Sequence, residues 1–283
     1  MKPQKRVAAI HDISGFGKCS LTVALPIISA AGVETSVIPT AVLSTHTGNI
    51  EGFTYRDLTE DILPFARHWK SLGIHFDAIY TGYLGSYQQI GLIEEVIDLL
   101  ADEDTLVLVD PVMGDYGRMY ALLGEDFPEG MRRLCAKADV IIPNYTEAAL
   151  LLGEPYRDGP YEAAFVEKTL KDLARLGCPR VALTGTWLEE ATLGAAVYDA
   201  QSGQVTYAMG QRVDGPYHGT GDVFGSALLG ALMNDKPLGQ AAQVAVDFVV
   251  GSILRTKEAG TDWRYGVNFE AGLPAYIRAL GLV

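Results

Sequence analysis

The fold is constrained most by a regular alternation of short apolar runs with segments of helical spacing. The apolar runs have the length of buried strands, and they lie at 7–10, 35–42, 78–80, 106–109, 140–142 and 180–183. The helical segments lie between or after them, at 20–31, 59–72, 88–100, 146–152 and 162–176. Because the connections are short, this order predicts a mostly parallel sheet covered by helices on both faces.

The pattern changes after residue 184. Runs at 195–199 and 204–209 flank Ser202-Gly203 and predict an antiparallel hairpin. Helical stretches follow at 222–233, 238–257 and 270–280, and the polar segment 43–56 is predicted to be a loop. The chain has 283 residues, of which 48% are hydrophobic, and it contains no repeat or linker-like stretch. It can therefore bury one large core, and we expect one domain over residues 1–283.

Charge and cysteine content limit the partners and the compartment. The formal net charge is −13, which argues against nucleic acid and anionic membranes as partners. No apolar run has membrane-spanning length. Cys19, Cys135 and Cys178 have no metal-site or disulfide spacing, which is typical of a reducing compartment. We therefore expect a cytoplasmic protein that binds neither nucleic acid nor membrane.

The sequence Gly219-Thr220-Gly221-Asp222 opens a helical pattern. A glycine turn at a helix start presents free backbone N–H groups at the positive end of the helix dipole, which is an anion site. An aspartate there is suited to accept a proton from a hydroxyl while the amides hold a phosphate. An ordinary helix N-terminus, with Asp222 favourable to the dipole, is an equally good interpretation of these residues alone.

Two predicted strands end in acidic or amide side chains. Asp110 directly follows the run 106–109, and Asn144 and Glu147 follow 140–142. Ligands of open α/β sheets bind beyond the carboxyl ends of the strands, and carboxylates there suit Mg²⁺. The alternatives are structural: Asp110-Pro111 favours a turn, and Asn144 with Glu147 has the spacing of a capping box.

The glycine-rich segment 12–20 follows the first predicted strand. It lacks the P-loop pattern, because Asp12 stands where that motif needs Gly and Cys19 where it needs Ser or Thr. Ser20 also replaces the third glycine of a dinucleotide-binding fingerprint, which disfavours a dehydrogenase. The segment serves either for substrate contacts or only for chain reversal.

Taken together, the motifs resemble the pyridoxal kinase group of the ribokinase superfamily. The resemblance runs from Val7 to about Lys257. It rests on the order and spacing of Gly82-Tyr83-Leu84-Gly85-Ser86, Asp110-Pro111-Val112-Met113-Gly114-Asp115, Pro143-Asn144 with Glu147, and Gly219-Thr220-Gly221-Asp222. It implies a three-layer α/β/α fold and an ATP- and Mg²⁺-dependent kinase acting on the 5′-hydroxymethyl group of pyridoxal, pyridoxine or pyridoxamine. A homodimer and assistance by a monovalent cation such as K⁺ are further expectations from the family.

The resemblance also implies roles for individual residues. Asp222 is the base, and Gly219, Thr220 and Gly221 form the anion hole. Asp110 and Glu147 serve the metal and the phosphates. The nucleotide side further includes Asp115, Asn144, Thr184 and Tyr120, which stands at the family's aromatic position in a lid over 117–120. The pyridine ring faces Asp12, Ser14, Thr47, Gly48 and Tyr83.

Two departures keep other functions open. Pyridoxal kinases typically carry Ser where this chain has Asp12, and Asp12-Ile13-Ser14-Gly15 resembles the Asp-Pro-Ser-Gly of hydroxymethylpyrimidine kinases. Those enzymes usually end the anion hole with Gly-Thr-Gly-Cys, whereas this chain has Asp222. No cysteine lies in 112–124, where some dual-specificity relatives trap an aldehyde. The alternatives are therefore a hydroxymethylpyrimidine kinase and a catalytically silent vitamer-binding protein.

Overall fold

A nine-stranded sheet forms the centre of the molecule. The computed structural model describes residues 4–48 and 50–283. Along the sheet the strands follow the order β11-β10-β9-β8-β5-β4-β1-β2-β3. Their bounds are Arg6–Phe16 (β1), Glu34–Thr45 (β2), Tyr55–Asp57 (β3), Ala78–Thr81 (β4), Leu106–Val109 (β5), Val140–Ile141 (β8), Arg180–Thr186 (β9), Thr192–Asp199 (β10) and Gln204–Gln211 (β11). A separate small hairpin consists of Gly114–Asp115 (β6) and Arg118–Met119 (β7).

The central strands are parallel, and the sheet becomes antiparallel only at its two ends. β2, β1, β4, β5, β8 and β9 pair in parallel, whereas β3 at one end and β10 with β11 at the other run antiparallel. The predicted hairpin is confirmed, with Ala195 opposite Ala208 and Asp199 opposite Gln204.

Helices cover both faces of the sheet. The helices are Leu21–Ala30 (α1), Thr59–Ser71 (α2), Tyr87–Leu100 (α3), Phe127–Cys135 (α4), Tyr145–Leu152 (α5), Ala163–Ala174 (α6), Thr220–Met233 (α7), Leu238–Ala259 (α8) and Leu273–Leu280 (α9). One buried cluster joins α2–α6 to one face of the sheet, and a second joins α1, α7, α8 and α9 to the other. Successive residues of β1, Val7 and Ala8, enter opposite clusters, as the alternation of side chains along a strand requires. The predicted α/β fold with three layers is confirmed.

The first strand is longer than predicted. β1 continues through Phe16 and pairs with β2 as far as Thr45, so Asp12 and Ser14 lie in a strand rather than in a loop. The predicted loop 43–56 is also shorter, because 43–45 belong to β2 and 55–57 form β3; it includes Asn49, which lies outside the described residues. The prediction depended on apolar alternation, which is lost in this part of β1 because Asp12 and Ser14 are polar and buried. The strand continues nevertheless, because β2 pairs with it through backbone hydrogen bonds.

Elements between β5 and β8 were not predicted. Helix α4 buries Phe127, Met131 and Leu134, which have helical spacing, but Pro128 and Gly130 interrupt the pattern. The short hairpin β6–β7 occupies the predicted lid region. None of the helices in the described ranges is both long and apolar enough to cross a membrane.

The parallel strands end together at one edge of the sheet, and main-chain hydrogen bonds continue past their ends. The Asp110 amide donates to the Thr81 carbonyl at 3.0 Å, and the Thr184 amide donates to the Pro143 carbonyl at 2.9 Å. These bonds fix the residues that follow β4, β5 and β8 at a common level. Helix α7 begins over the same edge, which brings 219–222 to the strand ends.

Substitutions at two glycines within helices distinguish the effect of side-chain packing from the effect of helix propensity. A methyl group at Gly225 of α7 would collide with the Tyr80 hydroxyl and would lie 2.6 Å from Ile142 Cδ1, whereas one at Gly91 of α3 meets no atom within 4 Å. We expect Gly225→Ala to lower the free energy of unfolding by about 1–3 kcal/mol. The matched Gly91→Ala should raise it by about 1 kcal/mol. Denaturant unfolding measures both, and equal effects of the two substitutions would contradict the packing of α7 on β4.

Candidate active site

A cavity of about 410 Å³ lies over the carboxyl edge of the sheet, beside the start of α7. Every residue predicted for catalysis, metal or nucleotide binding lines it: Asp110, Asp115, Tyr120, Asn144, Glu147, Thr184, Gly219, Thr220, Gly221 and Asp222. The structure therefore brings together residues that are up to 112 positions apart (110 to 222) in the sequence. Their individual roles remain predictions.

The start of α7 depends on Gly219. Its φ of +74° is left-handed, and a methyl group there would collide with the carbonyl oxygen of Lys18. Both conditions favour glycine at this position. Among the described residues, no side chain caps the helix, so the first-turn amides are left for a ligand beside the cavity. The turn has the features of an anion site.

Asp222 lies in the first turn of α7 and lines the cavity, where it is half-buried. Burial raises the pKa of its carboxyl to about 7, while the nearby backbone N–H of Ser20 lowers the pKa and the charge of Asp12 raises it. A carboxylate with raised proton affinity beside an anion site is suited to accept a proton from an alcohol.

Asp110 and Glu147 form the acidic floor of the cavity. Asp110 is 6% exposed, and burial followed by the charges of Glu147 and Asp222 holds the pKa of its carboxyl well above the usual range. Burial raises the pKa of Glu147 to about 8, although the amides of Asn144 and Met113 oppose this shift. The floor therefore concentrates negative charge that the protein itself does not neutralise.

The capping-box interpretation of Asn144 and Glu147 is confirmed. The Glu147 amide donates to Asn144 Oδ1 at 2.9 Å, and the Asn144 amide donates to Glu147 Oε2 at 2.8 Å. Glu147 Oε1 accepts from the Met113 amide at 3.2 Å, and Asn144 Nδ2 donates to the Gly114 carbonyl at 2.9 Å. Both side chains thus tie β8 and α5 to the lid hairpin, while Glu147 also contributes charge to the cavity.

The donor set fits a hard cation held largely by water. Among the described residues, no three His, Cys, Asp or Glu side chains converge closely enough to hold a metal ion by themselves. The Asp110 carboxylate faces the cavity without a hydrogen bond from any described residue, whereas Glu147 is occupied by backbone amides. Mg²⁺ typically keeps several waters and takes one or two carboxylates together with substrate phosphates.

The far side of the cavity is apolar. Helix α8 contributes Val246, Val249, Val250 and Ile253, and β10 contributes Leu193. Thr184 and Gly185 of β9 supply polar atoms beside this wall. An apolar slot with a few polar groups at its rim has the character of a site for a flat base. The motifs did not indicate that α8 lines the site, because the apolar residues of this helix are also what core packing requires.

The residues predicted for the vitamer ring form a second group and do not line the 410 Å³ cavity. Asp12 is 4% exposed and accepts hydrogen bonds from Ser20 Oγ at 2.6 Å and Ser14 Oγ at 3.4 Å. Burial raises the pKa of Tyr83 to about 12, with smaller contributions from Tyr55 and Asp12. This group therefore lies around Asp12, on the β1 side of Asp222.

Gly48 lies beside two histidines, and Thr47 precedes it in the chain. The Gly48 amide donates to His46 Nδ1 at 3.1 Å, and a methyl group on Gly48 would lie 2.9 Å from His218 Cε1. The rings of His46 and His218 are 5.2 Å apart, and His218 stacks on Trp263 at 5.5 Å. Neither histidine was among the predicted site residues. The position of His218 directly before Gly219 is the sequence feature that could have indicated that it lies at the site.

The fold and the site together define a ribokinase-like kinase. The defining features are mostly parallel strands, an anion turn at a helix start with an adjoining aspartate, and acids at the strand ends. The family model described as phosphomethylpyrimidine kinase matches residues 25–266. A structure of a putative phosphomethylpyrimidine kinase from Bacteroides thetaiotaomicron, in a crystal form with pyridoxal, is 37% identical and covers 96% of each chain with a TM-score of 0.92.

Other relatives carry a more specific name. The crystal structure of pyridoxal kinase from Lactobacillus plantarum is 32% identical, covers 97% of each chain and has a TM-score of 0.88. A pyridoxine/pyridoxal/pyridoxamine kinase from Bordetella pertussis is 27% identical over 263 residues, which are 90% of each chain. The chain belongs to the pyridoxal kinase family of the ribokinase superfamily, as the motifs predicted.

The acidic floor predicts an unusual dependence of stability on pH. Because folding raises the pKa of Asp110 and Glu147, their protonated forms favour the folded state, and this stability is lost as the pH rises from about 4 towards about 8. Asp110→Asn removes one charge and should raise the Tm of the ligand-free protein at pH 8. Each 1 kcal/mol of relieved repulsion corresponds to roughly 2–4 °C. Thermal unfolding at pH 5 and pH 8 measures the effect.

The control for this experiment is Glu103→Gln. Glu103 is exposed in the turn before β5, so its replacement should change the free energy of unfolding by no more than about 0.5 kcal/mol at either pH. A lower Tm for Asp110→Asn than for the wild type at pH 8 would show that the floor is not a site of charge repulsion.

Proposed function

We propose that this protein transfers the γ-phosphoryl group of ATP to the 5′-hydroxymethyl group of pyridoxal, pyridoxine or pyridoxamine. The observation that carries the proposal is Asp222, a carboxylate of raised pKa in the first turn of α7, beside an uncapped glycine turn and over an acidic floor. Relatives named for these substrates, at 27–32% identity, support the choice of acceptor.

The geometry supports a division of the site into two halves. The apolar wall of α8 and the polar edge of β9 would hold the base of ATP, and the phosphates would extend towards the start of α7. The vitamer would approach from the side of Asp12 and Tyr83, with its hydroxyl next to Asp222. Asp222 would take the hydroxyl proton as the oxygen attacks the γ-phosphorus, and the amides of 219–221 would stabilise the charge on the transferred group.

Mg²⁺, when bound, would neutralise charge on the phosphates and on the cavity floor. Asp110 is the residue placed to hold it, and Glu147 would act through water because backbone amides occupy its oxygens. The lid hairpin with Tyr120 borders the same cavity, and its closure over the nucleotide would exclude water as a competing acceptor.

Further properties remain proposals. They are a single kinase domain over residues 1–283, a cytoplasmic location, a homodimer and assistance by K⁺. Buried thiols at Cys19, Cys135 and Cys178 agree with a reducing compartment. Exposed apolar side chains near the β3 edge of the sheet, Phe16, Val42 and Tyr55, would be covered in a dimer.

Asp222→Asn tests the assignment of the base. Asparagine keeps the shape of the side chain but cannot take the proton, so kcat should fall by about 10²–10⁴-fold. Vitamer affinity, measured by calorimetry, should change little. The matched control is Asp214→Asn, an exposed side chain in the segment that leads to the same turn, which should retain wild-type kcat. Unchanged turnover in Asp222→Asn would exclude Asp222 as the base.

The acceptor is tested by a panel of alcohols. Wild-type protein is incubated with Mg·ATP and with pyridoxal, pyridoxine, pyridoxamine or hydroxymethylpyrimidine, and ADP release gives kcat/KM for each. We expect at least one vitamer to exceed the pyrimidine by about tenfold or more, since the polar atoms of such a site discriminate strongly between heterocycles. Turnover of the pyrimidine alone would favour the alternative kinase, and binding without turnover would favour a silent vitamer-binding protein.

A further inference from the structure

Ser20 has a backbone conformation that serine rarely adopts. It lies between β1 and α1 with φ 50° and ψ −130°, in the left-handed half of backbone space that favours glycine. Within the described ranges, the other non-glycine residues with positive φ are Tyr116 and Asp235, and neither lies in the β1–α1 connection. Such strain persists only where surrounding structure holds it, and it often occurs at functional sites.

The side chain of Ser20 does not perform its usual task at a helix start. Serine is favoured at the N-cap because its oxygen accepts from the first-turn amides, yet Ser20 makes no such bond to α1. Its hydroxyl instead donates to Asp12 Oδ1 at 2.6 Å, in a position where the serine is 6% exposed. Glycine would satisfy the backbone angle, so the hydroxyl is the part of Ser20 that needs another explanation.

The main chain of Ser20 faces a different carboxylate. Its backbone N–H lies near Asp222 and lowers the pKa of that group. The two residues are close because the turn before α7 packs directly on the main chain of Lys18, with no room for a methyl group at Gly219. Ser20 is thus bonded to Asp12 and lies near Asp222, although these two acids are 210 positions apart (12 to 222) in the sequence.

Asp12 needs such support. It is almost fully buried, and in the described part of the chain neither lysine nor arginine forms an ion pair with it. Asp12 and Asp222 repel each other when both are ionised, which would favour rotation of the side chains away from each other. The hydrogen bond from the buried Ser20 hydroxyl opposes this rotation at Asp12.

We propose that Ser20 is a positioning residue, whose hydroxyl holds Asp12 so that this carboxylate keeps one position beside Asp222 and the acceptor hydroxyl. The inference rests on the proposed kinase function, in which Asp222 takes the proton. It adds that the acceptor side of the site is held from β1 as well as from α7, and that the strained backbone at Ser20 is retained because the hydroxyl is required for activity.

The test uses Ser20→Gly and Ser20→Ala together. Glycine relieves the backbone strain, so Ser20→Gly should have a Tm equal to or above that of the wild type, whereas Ser20→Ala keeps the strain and should have a lower Tm. Both lose the hydroxyl, and both should lose roughly 10- to 100-fold in kcat because the reacting groups are misplaced. KM for ATP should stay within about threefold, since the nucleotide half of the site is unchanged.

A double-mutant cycle with Asp12→Ala identifies the path of the effect. If Ser20 acts through Asp12, Ser20→Gly should reduce kcat by less than about threefold in the Asp12→Ala background. The matched control is Asp235→Gly, which also replaces a residue of positive φ but lies in the turn between α7 and α8; its kcat should equal that of the wild type.

Each outcome has a definite meaning. Wild-type kcat in Ser20→Gly, or independent effects of Ser20→Gly and Asp12→Ala, would overturn the positioning role while leaving the kinase function intact. A wild-type protein that phosphorylates none of the alcohols in the panel would overturn both. A kcat that follows Tm across the two Ser20 variants would reduce Ser20 to a structural residue.

Discussion

Burial of like charges at one edge of the sheet is the constraint on which the rest of the site depends. Asp12, Asp110 and Glu147 are each no more than 6% exposed, and Asp222 lies beside them. Such a cluster is unfavourable by itself. The fold opposes the repulsion with backbone amides, which come from Met113 and Asn144 for Glu147 and from Ser20 for Asp222. The remaining negative charge is what a cation bound with its phosphates would neutralise.

Close backbone contacts hold these amides in place. Gly219 lies against the Lys18 carbonyl, which joins the start of α7 to the segment before α1. The capping box of α5 does the same for the second half of the site, since Asn144 also donates to Gly114 of the lid hairpin. Residues with an ordinary structural explanation therefore also set the geometry of the acids. In this molecule the structural and functional interpretations of Glu147 are both correct.

Much of the fold was predictable, because a strand or helix whose buried side chains are all apolar shows a regular apolar spacing in the sequence. The strands that end before Asp110 and Asn144 and the hairpin β10–β11 were found in this way. The second half of β1 was missed because Asp12 and Ser14 are polar and buried. Helix α4 was missed because Pro128 and Gly130 interrupt its apolar spacing. In both cases tertiary contacts outweighed the local pattern.

The sequence by itself determined the class of fold, the family and the identity of the acids, because motif order and apolar spacing are properties of the chain. Only the tertiary structure decided how the acids are related. It placed ten predicted residues around one cavity and put the predicted ring contacts in a separate group near Asp12. It also bonded the Ser20 hydroxyl to Asp12 and brought the Ser20 backbone N–H near Asp222. Asp12 and Asp222 are 210 positions apart (12 to 222), and the packing of the turn before α7 on the main chain of Lys18, which no local pattern encodes, brings them near each other.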